Sequence, residues 1–339
     1  MKIAVISADP AHCVRFRINP EAGDATSFMS WISIFDGYHF TYKRILSELH
    51  VLDYFDVVLM SGHNGHLVDI VKIANHLKNT KVLSMFYPEG SLQLYDNSVN
   101  GLYTETYEAW RACDIISSAE EDKLEYYRSF VTKDTLVGFV HVPLTPAMSA
   151  GQFFIGRKYK IRNNIVIYGD NNPNHPMVAF ACAEKLKMNV TAVEVDRGGK
   201  IAQIKTIFPD LEIYPYDKLS TNAYLRLLGR SVLHFYPTEW IGTAREPISC
   251  AVVGTPCIGS RDSHTQRRLF PAGLSFNHYD IAGMVDAAKE LLNNDTLYDT
   301  TARLALEKAQ FYSLENTMKR FIELVQTART TLKKEKVSV

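Results

Sequence analysis

Cysteine is scarce in this sequence. Cys13, Cys113, Cys182, Cys250 and Cys257 are scattered, odd in number and contain no CxxC pair. That spacing suggests neither a zinc site nor a thioredoxin-like motif. Cys182 and Cys250 sit in apolar runs and read as small core residues, which fits a reducing, cytoplasmic compartment. Long apolar runs are lacking too, since nothing approaches the ~18 consecutive apolar residues of a membrane span. The opening apolar run, Lys2–Ser7, turns polar too quickly for a signal peptide. Charge of one sign is missing as well. The 37 basic and 37 acidic side chains cancel, which argues against a protein that neutralises many phosphates non-specifically, though a local basic groove stays open. Short-period repeats and low-complexity segments are absent.

What is present is an alternation of apolar runs. Hydrophobic residues make up 46% of 339 residues, enough for a core in each of two domains. In the first half, β-rich runs at 2–7, 57–61, 81–86, 114–117 and 136–142 alternate with helical spacing at 66–77, 105–112 and from about Ala119. A Pro- and Gly-bearing stretch, Pro143–Asn164, reads as a linker ending in a basic run. The pattern then restarts with strands at 165–168, 190–195, 211–214, 232–236 and 256–259. Helices are expected at 177–186, 222–228, 246–253 and 281–293, with a closing helix over 298–331. Strands alternating with helices predict parallel sheets covered on both faces. The expected division is a Rossmann-like domain at 1–150, a second at 151–306, a helix over 307–332 laid across both, and a disordered basic tail at 333–339. Ligands in such sheets bind beyond the carboxyl ends of the strands.

Five segments carry chemistry. The first is Thr243 to Ile258, a polar loop entering a short helix, then Gly254-Thr255-Pro256 and a strand. A helix N-terminus suits a diphosphate, Arg245 can add a bidentate contact, and Glu246 can accept hydrogen bonds from ribose hydroxyls. The same residues also read as a capped helix with a surface Arg–Glu pair. The second, Tyr87-Pro88-Glu89-Gly90-Ser91, puts a carboxylate just past a strand end, placed for general base work or for helix capping. The third, Ser61-Gly62-His63-Asn64-Gly65-His66, offers two histidines at a strand end, as base, phosphate contact or plain loop residues. In the fourth, Gly169-Asp170-Asn171, a glycine lets the backbone approach a phosphate or sugar. The segment is neither a P-loop nor GxGxxG, and the basic turn at Arg197 can contribute a further phosphate contact. The fifth is the long first loop, where Arg15 and Arg17 either meet an anionic acceptor or are simply solvated.

The helix leading to Gly-Thr-Pro and a strand resembles the donor site of GT-B glycosyltransferases. The start Ile165–Gly169, the run Leu227–Tyr236 and the closing helix fall where that group places its second domain and its return to the first. The layout, including Phe86-Tyr87-Pro88-Glu89, is also similar to phage DNA β-glucosyltransferase. The resemblance implies two Rossmann-like domains facing across a cleft, with the last helix crossing back. It implies transfer of a sugar from a nucleotide diphosphate sugar, a UDP-sugar foremost, to an acceptor hydroxyl. Gly169, Asp170, Asn171, Arg197, Arg245, Glu246 and Ser249 would hold the donor. Arg15, Arg17 and His66 would meet the acceptor, with Glu89 and His63 as catalytic groups. The acceptor (a glycan, a small molecule or a modified DNA base) and the need for a divalent metal stay open. One departure bears on stereochemistry. Retaining members carry glutamates five and thirteen residues before the glycine of Gly-Thr-Pro, where this chain has Ser249 and Ile241. Two other readings are a nucleotide-sugar epimerase of the same fold and a non-catalytic two-lobed binding protein.

Overall fold

The structure is a computed structural model that describes residues 1–7, 38–62, 64–88, 103–141, 143–144, 148, 150–169, 176–196, 199–217, 219–238 and 245–332. The chain divides into two compact units, one of residues 1–145 with 312–339, the other of residues 146–311.

The first unit holds β1 (Ile3–Ser7), β2 (Tyr38–Thr41), α1 (Tyr42–Ile45), β3 (Val57–Gly62), α2 (Leu67–Leu77), β4 (Leu83–Pro88), α3 (Tyr103–Ala112), β5 (Ile115–Ser118), α4 (Leu124–Phe130) and β6 (Leu136–Phe139). Its strands form one parallel sheet in the order β2-β1-β3-β4-β5-β6. β1, β3 and β4 are buried along their whole length, as expected of a parallel sheet covered on both sides. Successive side chains serve opposite faces. Ala4, Ile6, Val58, Met60 and Phe86 join a core with Ile70, Ala74 and Trp110 from α2 and α3. Ile3, Val5, Val57, Leu59 and Met85 join a second core with Phe321, Val325 and Ala328.

Those last three residues belong to the chain's final helix. In the second unit the order is β7 (Ile161–Tyr168), α5 (Pro176–Leu186), β8 (Asn189–Val193), α6 (Lys200–Ile207), β9 (Ile213–Tyr216), α7 (Thr221–Arg230), β10 (Ser231–Tyr236), α8 (Arg245–Val253), β11 (Cys257–Ser260), α9 (His264–Leu269), β12 (Ser275–Phe276), α10 (Ile281–Asn293) and α11 (Asp295–Ala309). The final helix, α12 (Leu314–Thr331), lies in the first unit. The second sheet is also parallel, in the order β12-β11-β10-β7-β8-β9.

Three differences from the sequence reading have physical causes. The closing helix expected over 298–331, and its portion expected to begin at 307, is two helices. A 3-10 turn over Gln310–Tyr312 buries Tyr312, and the Ser313 side chain caps the next helix at the Asn316 N–H. The stretch read as linker to Asn164 carries structural anchors. Arg157 donates to the carbonyls of Leu291 and Leu292 at the end of α10 and pairs with Asp295 at 2.8 Å. β7 begins at Ile161, and buried Asn164 is retained there because it donates to the Ser231 hydroxyl and accepts from the Thr191 hydroxyl. Lastly, β2, α1, α6, α9 and β12 have no counterpart in the reading. No helix among the described residues is long and apolar enough to cross a membrane. The expected tail at 333–339 lies outside the described residues.

Phe321 is fully buried against the strands of the first sheet. Phe321→Ala should destabilise the first unit by about 3–5 kcal/mol, the usual cost of emptying an aromatic site. Denaturant unfolding measures it, and a loss under 1 kcal/mol would mean that α12 does not cover that face.

Candidate functional site

Numbered within its own unit, the second sheet has the strand order 3-2-1-4-5-6, and β7 and β10 flank the point where chain direction across the sheet reverses. In open α/β sheets, ligands bind at the carboxyl edge beside such a point. Gly169 stands at the end of β7, and α8 follows β10. The topology therefore sends both toward one edge.

Close packing fixes Gly169. Its N–H donates to the Val193 carbonyl at 3.0 Å. A Cβ there would meet Val195 Cγ2 at 2.6 Å, so only glycine fits. The neighbouring strand β8 is followed by Glu194, which sits in the left-handed region at φ 55° and is buried. Its carboxylate accepts the Tyr168 hydroxyl at 2.5 Å. The Tyr168 ring lies 5.4 Å from that of Tyr224, in the first turn of α7. Burial, with the Glu246 carboxylate next in weight, pushes the Tyr224 phenol well above its usual range. Glu194, Tyr168 and Tyr224 thus stand in contact one after another, and the Glu246 carboxylate acts on Tyr224 through its charge.

Arg245 and Glu246 open α8, with Pro247 in the first turn and Ser249 half-buried one turn on. Amides at such a helix start point outward and favour an anion. What holds α8 in place is its other end. Gly254 follows the last helical residue at φ 72°, and a Cβ there would meet the Phe154 ring at 2.6 Å. Thr255 donates from its hydroxyl to the Leu228 carbonyl and accepts from the Lys160 ammonium at 2.8 Å. Lys160 also donates to the Gly229 carbonyl at 2.6 Å and reaches that of Val253 at 3.5 Å. A buried cation thus meets the carboxyl ends of α7 and α8, where the helix dipoles favour it. Burial nonetheless pulls the Lys160 pKa down to about 7. Gly-Thr-Pro is therefore a structural joint that aims the helix.

Of the residues expected to hold a donor, Gly169, Arg245, Glu246 and Ser249 lie in the second unit. His66 lies in the first, just before α2, with its ring stacked 4.7 Å from that of Tyr42. Tyr42 in turn donates to the Ser61 carbonyl. Arg15, Arg17, His63, Glu89, Asp170, Asn171 and Arg197 lie outside the described residues. Sequence reasoning missed Tyr168, Glu194 and Tyr224. The one signal for them was that Tyr168 closes an apolar strand.

The spacing of the cysteines suggested no metal site. In the fold, His234, Cys250 and Cys257 come together, all buried, with their ligand atoms within 4.8 Å of one another.

No family model matches the chain, and no curated protein matches its sequence. Solved structures do match. A sucrose-phosphate synthase from Thermosynechococcus elongatus aligns at a TM-score of 0.69 and 11% identity, over 97% of this chain and 99% of its own. An α-glucosyltransferase in complex with UDP-glucose and DNA containing an abasic site aligns at 0.67 and 12%, over 96% and 99%. Anabaena HepE in complex with UDP aligns at 0.66 and 11%, over 96% and 100%. The chain has the GT-B fold of these proteins, with two Rossmann-like units.

The Lys160 joint gives a pH test. Unfolded, Lys160 holds its proton up to its ordinary value of 10.5; folded, it releases it near 7. Between those values the unfolded state binds more protons, so stability rises with pH across that window. Lys160→Met should remove this rise. It should also destabilise by about 1–3 kcal/mol by leaving buried carbonyls unmatched. Melts from pH 6 to pH 10 that run parallel for both proteins would refute the assignment.

Proposed function

We propose that the chain is a glycosyltransferase that moves a sugar from a nucleoside diphosphate sugar, a UDP-sugar, to an acceptor hydroxyl. The observation that carries this reading is the anchored helix α8, which begins with Arg245 and Glu246 after the strand that flanks the switch point of the second sheet. The fold shared with proteins solved with UDP or UDP-glucose supports the choice of donor.

In this reading the second unit binds the donor. The amides opening α8 and the Arg245 guanidinium hold the diphosphate, and Gly169 lets the backbone come close to it. Glu246 accepts hydrogen bonds from the ribose hydroxyls. Asp170, Asn171, Arg197 and Ser249 complete the donor set. As charge builds on the departing diphosphate, the helix dipole and Arg245 stabilise it. The first unit takes the acceptor. Its strand order also contains a reversal, between β1 and β3, and Arg15, Arg17, His63 and His66 follow those two strands in the sequence. Glu89 directly follows the buried strand β4 and serves as the base that takes the acceptor proton, with His63 next in line. The acceptor is a hydroxyl on a glycan, a small molecule or a modified DNA base. That a similar structure contains DNA makes a modified DNA base the first acceptor to try.

Two substitutions separate donor binding from chemistry. Arg245→Ala should weaken UDP binding by about 1.5–3 kcal/mol, the range of a charge-assisted hydrogen bond. Unchanged affinity by calorimetry would remove Arg245 from the site. Glu89→Gln should lower turnover by about 100-fold or more while UDP affinity holds. Near-normal turnover would move the base to another residue.

A further inference from the structure

The second unit contains a buried group that the transfer reaction does not use. His234 lies on β10 and Cys257 on β11, and the two are partners in the parallel register. Paired residues on adjacent strands point to the same face, here the face on which Cys250 of α8 meets them. The ligand atoms of all three lie within 4.8 Å of one another, and all three residues are fully buried.

We propose that His234, Cys250 and Cys257 form a structural zinc site that pins α8 to β10 and β11. The donor set is one imidazole and two thiols, the soft combination that selects zinc over magnesium or calcium. Charge balance supports it. On binding, each thiol gives up its proton to solvent as its sulfur–zinc bond forms, so two thiolates offset the two charges of the ion. The neutral result suits a site from which water is excluded. Without the ion, the burial is costly. Neither ring nitrogen of His234 makes a well-formed hydrogen bond.

The test uses the full chain, purified under reducing conditions, stripped with a chelator and titrated with zinc against a chromophoric competitor. One zinc per chain is expected. Cobalt in its place should give thiolate-to-cobalt charge-transfer absorption, a readout on the unaltered protein that needs no variant. Cys257→Ser and His234→Gln should lower zinc affinity at least about 100-fold, taking a ligand's loss at the upper end of that for a supporting residue. Cys182→Ser removes a buried cysteine outside the group and should leave binding intact. No stoichiometric zinc in the unaltered chain, or cobalt spectra without thiolate absorption, would overturn the site. So would recovery of the untreated protein without zinc and with Cys250 and Cys257 joined as a disulfide.

Discussion

The hydrogen bonds of one buried ammonium set the geometry of the second unit. Lys160 reaches the carboxyl ends of two helices through Gly229 and Val253, and it meets Thr255 between them. A cation in that position satisfies helix-end carbonyls that would otherwise be buried and unmatched. Gly254 then reverses the chain in a conformation open to glycine, and β11 starts three residues on. Because α8 is fixed at its carboxyl end, its amino end has a fixed position too. The site inherits its precision from a joint on the far side of the helix.

The same logic extends to both sheets. Parallel strands need crossovers, and crossovers place helices on both faces while leaving the carboxyl edge to loops. Each sheet reverses its direction of winding once. One such edge carries Gly169 and α8; the other lies at the ends of β1 and β3. The chemistry proposed for the chain needs two such edges, one for each substrate.

Much of the architecture was legible because burial on both faces makes parallel strands read as unbroken apolar runs. β1, β3, β4 and β10 are of this kind. β2 was not legible, since its residues are half exposed and follow a long segment without periodicity. The break between α11 and α12 was hidden because apolar spacing continues through Phe311 and Tyr312, and only the Ser313 cap marks it. In the site, Gly169 and the Arg245-Glu246 pair could be found because each sits at a strand-to-helix junction. Glu194, Tyr168 and Tyr224 could not, because sheet register and helix packing bring them together. Lys160 looked like one charge in a basic run; its partners lie in two distant segments, at Gly229 and at Val253–Thr255. The cysteine and histidine group was invisible for the same reason.

The central claim is that the second unit binds a nucleoside diphosphate at the start of α8. Amide hydrogen exchange on the full chain, with and without UDP, tests it most directly. The account predicts slowed exchange at 245–249 and around Gly169, with the sheet of the first unit unchanged. Protection confined to the first unit, or no change at the start of α8 at saturating UDP, would contradict it.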